Sequence, residues 1–307
     1  MQYHPTITAR NSQEEPVKRS FAATAALLAL LGAGPVFADR AEADAHYKRG
    51  IAAKRTGDVD GAIASFEACL KADPTYGIAM FSLGVMYKKK NDIEKAKKYL
   101  TDATKTIPEH GPSHLSLAQL LLREGLFAES RTEFDLALKS KEMQTDDKAE
   151  AYNGIGVSYR YESKTKEAAA AFDEAIKLAP TNWTLYVNKA IALNKSGDKA
   201  LLADAEQAYR KATEIAPKEP DPWMGVGITC RKQGKYDDAI AAYEQGLALN
   251  PKDGDAWFDL ASMYLKKEQH QKSLDAFEAY LKLAKPGTTS AEDAQSYVEQ
   301  LRKKLKK

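Results

Sequence analysis

Residues 220–253 read PDPWMGVGITCRKQGKYDDAIAAYEQGLALNPKD, and the chain returns to that pattern at a nearly fixed period. Tyr243 is one of seven large apolar residues, Phe66, Leu100, Phe134, Phe172, Tyr209, Tyr243 and Phe277, spaced by 34, 34, 38, 37, 34 and 34 positions. Four residues before each stands a small one: Ala62, Ala96, Ser130, Ala168, Ala205, Ala239 and Ser273. Eight residues after five of them comes a proline: Pro74, Pro108, Pro180, Pro217 and Pro251. A period of this length marks a solenoid built from one supersecondary unit. Such arrays present extended binding surfaces more often than catalytic clefts.

Inside each unit the apolar residues recur every three and four positions, which is helical spacing. In residues 77–110, Met80, Leu83, Val85 and Tyr87 mark a first helix, and Lys90-Asn91-Asp92 breaks it. Ala96, Leu100 and Ala103 mark a second helix, closed by Pro108. Proline stops it because it lacks an amide donor and clashes with the preceding turn. Small residues at Gly50, Gly84, Ala118, Gly156, Ala190, Gly227 and Ala261 let the two helices cross closely.

This pattern resembles the tetratricopeptide repeat. Residues 220–253 supply Trp223, Val226, Gly227, Cys230, Ala239, Tyr243, Gly246 and Pro251. Residues 149–182 supply Tyr152, Ile155, Gly156, Tyr159, Ala168, Phe172, Ala175 and Pro180. The resemblance implies an all-α fold, a right-handed α-solenoid of seven helical hairpins with a C-terminal capping helix. The repeats run 43–76, 77–110, 111–148, 149–182, 183–219, 220–253 and 254–287. Two departures stand out. The third repeat carries four extra residues near Glu142–Asp147 and no closing proline, which predicts a hinge within 141–148. The fifth inserts three residues around Ala200-Leu201-Leu202. Within 288–307, Ser290 is the expected N-cap of a final helix with acids in its first turn and bases in its last.

Residues 1–38 lack the repeat. Lys18 and Arg19 precede an uncharged run from Phe21 to Phe37 that ends in Val36-Phe37-Ala38, directly before Asp39. That is the layout of a secretory signal peptide, cleaved near Ala38/Asp39, with 39–42 as a short linker. A retained anchor is the alternative. Lys18-Arg19-Ser20-Phe21 also resembles a twin-arginine export motif with lysine in the first arginine's place, so that route and the general secretory route both stand. The expected location is periplasmic or secreted, without stable membrane insertion after cleavage.

The chain holds 45 basic and 43 acidic residues, so its charge gives no footprint for nucleic acid. Its two cysteines, Cys69 and Cys230, read as small buried fillers in separate repeats. No phosphate-cradling loop, metalloprotease helix or nucleophile turn occurs. His110 and His114 lie four apart, but Gly111 and Pro112 separate them at a hairpin junction. They read as a turn residue and a packing residue, and His46 shares the fourth repeat position with His114, Trp223 and Trp257. Asn182-Trp183-Thr184 and Asn194-Lys195-Ser196 fit the glycosylation pattern. No catalytic residue, metal or cofactor is expected.

A surface remains. By the family resemblance, first helices line a concave groove through repeat positions 2, 5, 9, 12 and 13. Positions 5 and 9 are Tyr47, Ile51, Phe81, Val85, Leu115, Gln119, Asn153, Val157, Val187, Ile191, Met224, Ile228, Phe258 and Ser262, a mostly apolar floor. Positions 12 and 13 supply Lys54, Arg55, Lys88, Lys89, Arg123, Arg160, Lys195, Arg231, Lys232 and Lys266. Cations are favoured near helix C-termini whatever the function, so this rim is open to that reading and to an anionic-partner role. The two-carboxylate clamp of chaperone-tail-binding relatives needs lysine and asparagine at positions 5 and 9, and these slots do not match it. The expected partner is a protein, through an extended or helical segment bearing acidic and apolar groups. The expected function is a non-catalytic envelope scaffold; an export chaperone and a regulatory subunit of an envelope enzyme are the alternatives.

Overall fold

The computed structural model describes residues 40–306; the expected signal peptide lies outside the described residues. Among them are fifteen α-helices and no strand. They are α1 (Arg40–Arg55), α2 (Val59–Ala72), α3 (Gly77–Lys89), α4 (Ile93–Thr106), α5 (Gly111–Arg123), α6 (Phe127–Lys139), α7 (Thr145–Tyr161) and α8 (Thr165–Leu178). There follow α9 (Trp183–Lys195), α10 (Leu202–Ile215), α11 (Pro220–Gln233), α12 (Tyr236–Leu249), α13 (Gly254–Lys266), α14 (His270–Leu283) and α15 (Thr289–Leu305). The first fourteen form consecutive hairpins, and α15 follows the last. The chain divides into two compact units between Ala79 and Met80.

In the first unit, α1 packs on α2 around the fully buried Phe66. A Cβ added at Gly50 would stand 2.4 Å from that ring, so only glycine lets the helices meet there. Tyr47 lies between Phe66 and Tyr76, with ring centroids 5.6 and 5.2 Å away. The expected linker at 39–42 is corrected: α1 already begins at Arg40, which pairs with Asp73 and lies 4.0 Å from the Tyr76 ring centroid.

The second unit repeats one packing device. Leu100, Phe134, Phe172, Tyr209, Tyr243 and Phe277 are all buried, and so are the small residues four positions earlier. Where the small residue is a serine it also bonds across the hairpin: Ser130 Oγ donates to the Ala118 carbonyl and Ser273 Oγ to the Ala261 carbonyl, both at 2.9 Å. Gly156 and Gly227 face Phe172 and Tyr243 of their own hairpins. Gly154 and Gly225 face backwards, where an added Cβ would stand 2.1 Å from Phe134 and 2.2 Å from Tyr209 of the preceding hairpin. The Gly-x-Gly pairs of α7 and α11 are thus each wedged between two successive rings. Cys69 in the first unit and Cys230 in the second are fully buried, and burial pushes both thiols up to about 11.

All seven hairpin turns share one backbone corner. Gly57, Asn91, Gly125, Ser163, Gly197, Gly234 and Glu268, the fifteenth residue of each repeat, have φ between 57° and 80°. That left-handed region suits glycine and strains other residues.

The insertion of the third repeat is packed against its neighbours. The expected hinge at 141–148 falls on a segment in which Met143 is buried against Gly111 and the Ser140 hydroxyl donates to the Glu109 carbonyl at 2.7 Å. The extra residues lengthen α7, which starts at Thr145, ahead of the expected repeat boundary at 149. In the fifth repeat the insertion forms a 3-10 turn, Lys199–Leu201, before α10. At the C-terminus α15 buries Ala291, Ala294, Val298 and Leu301, and Tyr297 stacks on Phe277 at 5.1 Å. Its N-cap is Thr288, which accepts from the Ala291 amide, in place of the expected Ser290.

Candidate partner-binding face

Position 4 of the first helices has a role that composition alone hides. His114 Nε2, Tyr186 Oη, Trp223 Nε1 and Trp257 Nε1 donate to the carbonyls of Pro108, Pro180, Pro217 and Pro251, at 2.9, 3.1, 3.1 and 3.0 Å. Each acceptor closes the preceding hairpin, six residues upstream, so rings as different as imidazole, phenol and indole serve one purpose. His114 is buried, and Nδ1 meets the Glu133 carboxylate at 2.6 Å. That hydrogen bond raises its pKa. His110 occupies the N-cap position of α5 without a side-chain capping bond; its ring lies 2.7 Å from the Ser113 hydroxyl, and burial lowers its pKa. Among the described residues no cluster of three metal-ligating side chains occurs.

The first helices α5, α7, α9 and α11 touch one another in order. Phe81, Val85, Val157, Val187, Ile191, Ile228 and Phe258 are half-buried, as are Tyr47 and Ile51 in the first unit. Two expected floor residues are corrected. Leu115 and Met224 are 6% and 8% exposed, and Met224 lies where a Cβ on Gly246 would come within 2.8 Å of its sulfur. They belong to the core, Leu115 in the cluster that holds Phe134 and Ile155, and Met224 in the cluster that holds Tyr209 and Tyr243.

Three bases of the rim, Lys88, Arg231 and Lys232, are engaged by the protein itself. Lys88 donates to Gln119, whose amide donates to Glu150 at 2.7 Å, and burial lowers the Lys88 pKa. Arg231 lies 3.3 Å from Asp259, which also accepts from the Tyr243 hydroxyl at 2.7 Å. Lys232 donates to the backbone and side-chain oxygens of Asn194, at 3.0 and 3.2 Å. Asn194 is buried and donates to Thr229, while Asn188 donates to Asn153, both at 2.9 Å. Asn194 is thus a structural tether, and Asn182 caps α9 through the Thr184 amide; both glycosylation patterns have structural duties. Lys89 is exposed, and Arg160 is half-buried. Glu150, Asn188 and Asp259 escaped sequence reading, as did the tethering role of Asn194. Their signal is a polar residue roughly one repeat away from its partner.

A second series of tethers joins successive hairpin turns. Lys97 pairs with Glu124 at 2.5 Å, Arg131 with Glu162 at 3.1 Å, Glu206 with Lys235 at 2.7 Å and Asp237 with Lys267 at 2.9 Å. Burial pushes the Glu206 carboxyl up, but hydrogen bonds from Lys235 and Arg210 outweigh it and hold it at about 2. Among the described residues no helix is long and apolar enough to cross a membrane.

Family profiles described as tetratricopeptide repeat match residues 43–76, 78–110, 149–182 and 230–288, together more than half the chain. The chain is 26% identical over 137 residues to the anaphase-promoting complex subunit CDC16 of Saccharomyces cerevisiae, covering 43% of this chain and 16% of that protein. It is 24% identical over 199 residues to a TPR repeat-containing protein of Methanocaldococcus jannaschii, covering 64% and 29% respectively. It therefore spans under a third of either curated relative. Among solved structures, PilW, a type IV pilus biogenesis factor, matches with a TM-score of 0.58 at 20% identity, over 68% of this chain and 94% of PilW. YrrB, described as a TPR protein with an unusual peptide-binding site, matches with a TM-score of 0.53 at 14% identity, over 66% and 97%. At these identities the two structures speak for the fold.

Proposed function

Because the chain belongs to the tetratricopeptide repeat family, we propose that it is a non-catalytic scaffold that holds a segment of a partner protein on its first-helix face. The observation that carries this reading is the row of half-buried apolar side chains on successive first helices: Phe81, Val85, Val157, Val187, Ile191, Ile228 and Phe258. Such residues are partly desolvated already and gain by being covered, and a few anchors of this kind usually supply most of the binding energy. The tethers between first helices hold those side chains in register, which lowers the ordering cost of binding. Rim bases held by intramolecular partners contribute less than free cations would. PilW and YrrB share the fold, and their described roles in pilus biogenesis and peptide binding agree with a protein partner.

We place the work outside the cytoplasm, in an envelope complex, on the leader sequence alone. The expected cut after Ala38 falls two residues before α1 starts at Arg40. N-terminal sequencing of native protein should return a start near Asp39; a start at Met1 sinks the cleavage. For the face itself, photo-crosslinking side chains at Val157, Ile191 and Ile228 should capture one partner in intact cells. The same probes at Leu136 and Leu249, two exposed leucines of second helices, should not. Capture only from Leu136 and Leu249 overturns the reading.

A further inference from the structure

A pocket of about 140 Å³ opens between the turn after α7, the start of α8 and the end of α9. It is lined by Arg160, Ser163, Thr165, Ala192, Lys195 and Ser196: two cations, three hydroxyls, one methyl and no carboxylate. At roughly 30 Å³ per water it holds about four or five, room for one small oxyanion and its hydration. Among the described residues neither Arg160 nor Lys195 makes an ion pair, unlike Lys97, Arg131, Lys235 and Lys267 along the hairpin turns. The acids nearest to them in sequence are engaged elsewhere. Glu162 is taken by Arg131 and Lys164, and Asp198 accepts from the Ala200 amide. By contrast, the large pocket around Glu206 carries both signs, with Asp173, Asp204 and Glu214 beside Lys189, Arg210 and Lys211.

Two further features point the same way. α8 begins at Thr165 with no side-chain cap, so its first amides bring the positive end of the helix dipole to the pocket wall. Beside it stands Tyr161, 58% exposed, stacked on Phe127 at 5.3 Å with a 6° interplanar angle. Two cations lining one small cavity repel each other, and an anion between them turns that repulsion into attraction. The Ser163 and Thr165 hydroxyls supply donors without adding charge, while Ser196 Oγ already donates to the Leu193 carbonyl at 2.7 Å.

We infer that this pocket receives an oxyanion of the bound partner segment, a carboxylate or a phosphoryl group, with the Phe127–Tyr161 stack taking the apolar side chain next to it. The inference rests on the scaffold reading and narrows it. Val157 and Ile191 lie about one helical turn before Arg160 and Lys195, so a segment on the first-helix face reaches the pocket without leaving it. Within the expected basic rim, this pocket brings together two cations, Arg160, which also lies 5.3 Å from the Tyr161 ring centroid, and Lys195.

The test is a chemical-shift titration of the isotope-labelled chain with sodium acetate and, separately, inorganic phosphate, each against sodium chloride at matched ionic strength. The amides of Ser163, Thr165 and Ser196 should shift and saturate. Tighter acetate binding assigns a carboxylate, tighter phosphate binding a phosphoryl group. An Arg160→Gln, Lys195→Gln double variant should weaken the response at least tenfold, while Lys105→Gln, at an exposed residue of α4, leaves it unchanged; unchanged melting of each variant verifies folding. Linear shifts with both anions, or saturation that survives the double substitution, overturn the pocket. If Val157 and Ile191 still capture a partner in that case, the scaffold reading stands without it. Saturation without any capture from the first-helix face leaves an anion pocket and removes the scaffold.

Discussion

Glu268 sits at φ 57° in the turn between α13 and α14, the same left-handed corner that Gly234 takes at 77° one hairpin earlier. A side chain there costs about 1–2 kcal/mol, part of which glycine gives back through the freedom of the unfolded chain. Glu268→Gly should therefore stabilise by about 0.5–1 kcal/mol, read from denaturant unfolding. Gly234→Ala meets nothing within 4 Å, so its loss of about 1 kcal/mol should come from backbone strain alone. His114 offers a pH signature. Both its nitrogens meet acceptors, Glu133 and the Pro108 carbonyl, an arrangement made for the imidazolium. Its pKa is raised above the ordinary 6.5, chiefly by the hydrogen bond to Glu133. The stabilisation is therefore complete below the unfolded value and lost as pH rises through the folded one. Melting temperature should fall across that window in the native chain, and Glu133→Gln should flatten the fall. An equal fall in both would show that the pair does not carry it.

At the scale of the helix, the glycines of α7 and α11 decide how closely hairpins approach. Gly225→Ala would drive a methyl to 2.2 Å from the Tyr209 ring, and Gly154→Ala one to 2.1 Å from Phe134. Both should cost about 1–3 kcal/mol by overpacking, measured by thermal unfolding. Survival of both without loss would mean that the rings have room to swing away. Helix order, the crossing glycines and the buried aromatic slot were legible in the sequence, because burial imposes a strict period on size and polarity. Gly154 and Gly225 were not, because each answers a ring in the previous repeat and breaks no pattern within its own. The left-handed corner was half visible: glycine fills four of the seven positions, while Asn91, Ser163 and Glu268 conceal the rest. Met143 and the lengthened start of α7 were read as slack, since an insertion looks the same in sequence whether it hangs free or fills a gap. Of the candidate site, the apolar slots were legible as types. Which bases were already engaged was not, because Asn194, Gln119 and Asp259 lie roughly a repeat away from their lysine and arginine partners.

At the scale of the whole molecule, the array holds together through its neighbour-to-neighbour joints, so damage at one joint should spread only as far as the adjacent hairpins. Glu206 is a sensitive joint in acid. Its carboxyl is held at about 2 against an ordinary 4.5, so its contribution is full above the higher value and lost as pH falls through the lower. Glu206→Gln should cost on the order of 2–3 kcal/mol at neutral pH and progressively less toward pH 2, where the native chain has lost the same contribution. Hydrogen exchange should show the loss centred on α10 and α11. The hydrogen bond from each of His114, Tyr186, Trp223 and Trp257 to the preceding proline carbonyl has a longer reach than its roughly 1 kcal/mol suggests. Donor and acceptor stand six residues apart, so the seam between two hairpins is written in one short stretch of gene. A crossover anywhere outside that stretch that duplicates or deletes a whole repeat carries the seam along intact. The array can therefore change length during descent without having to reinvent the contact that joins its parts.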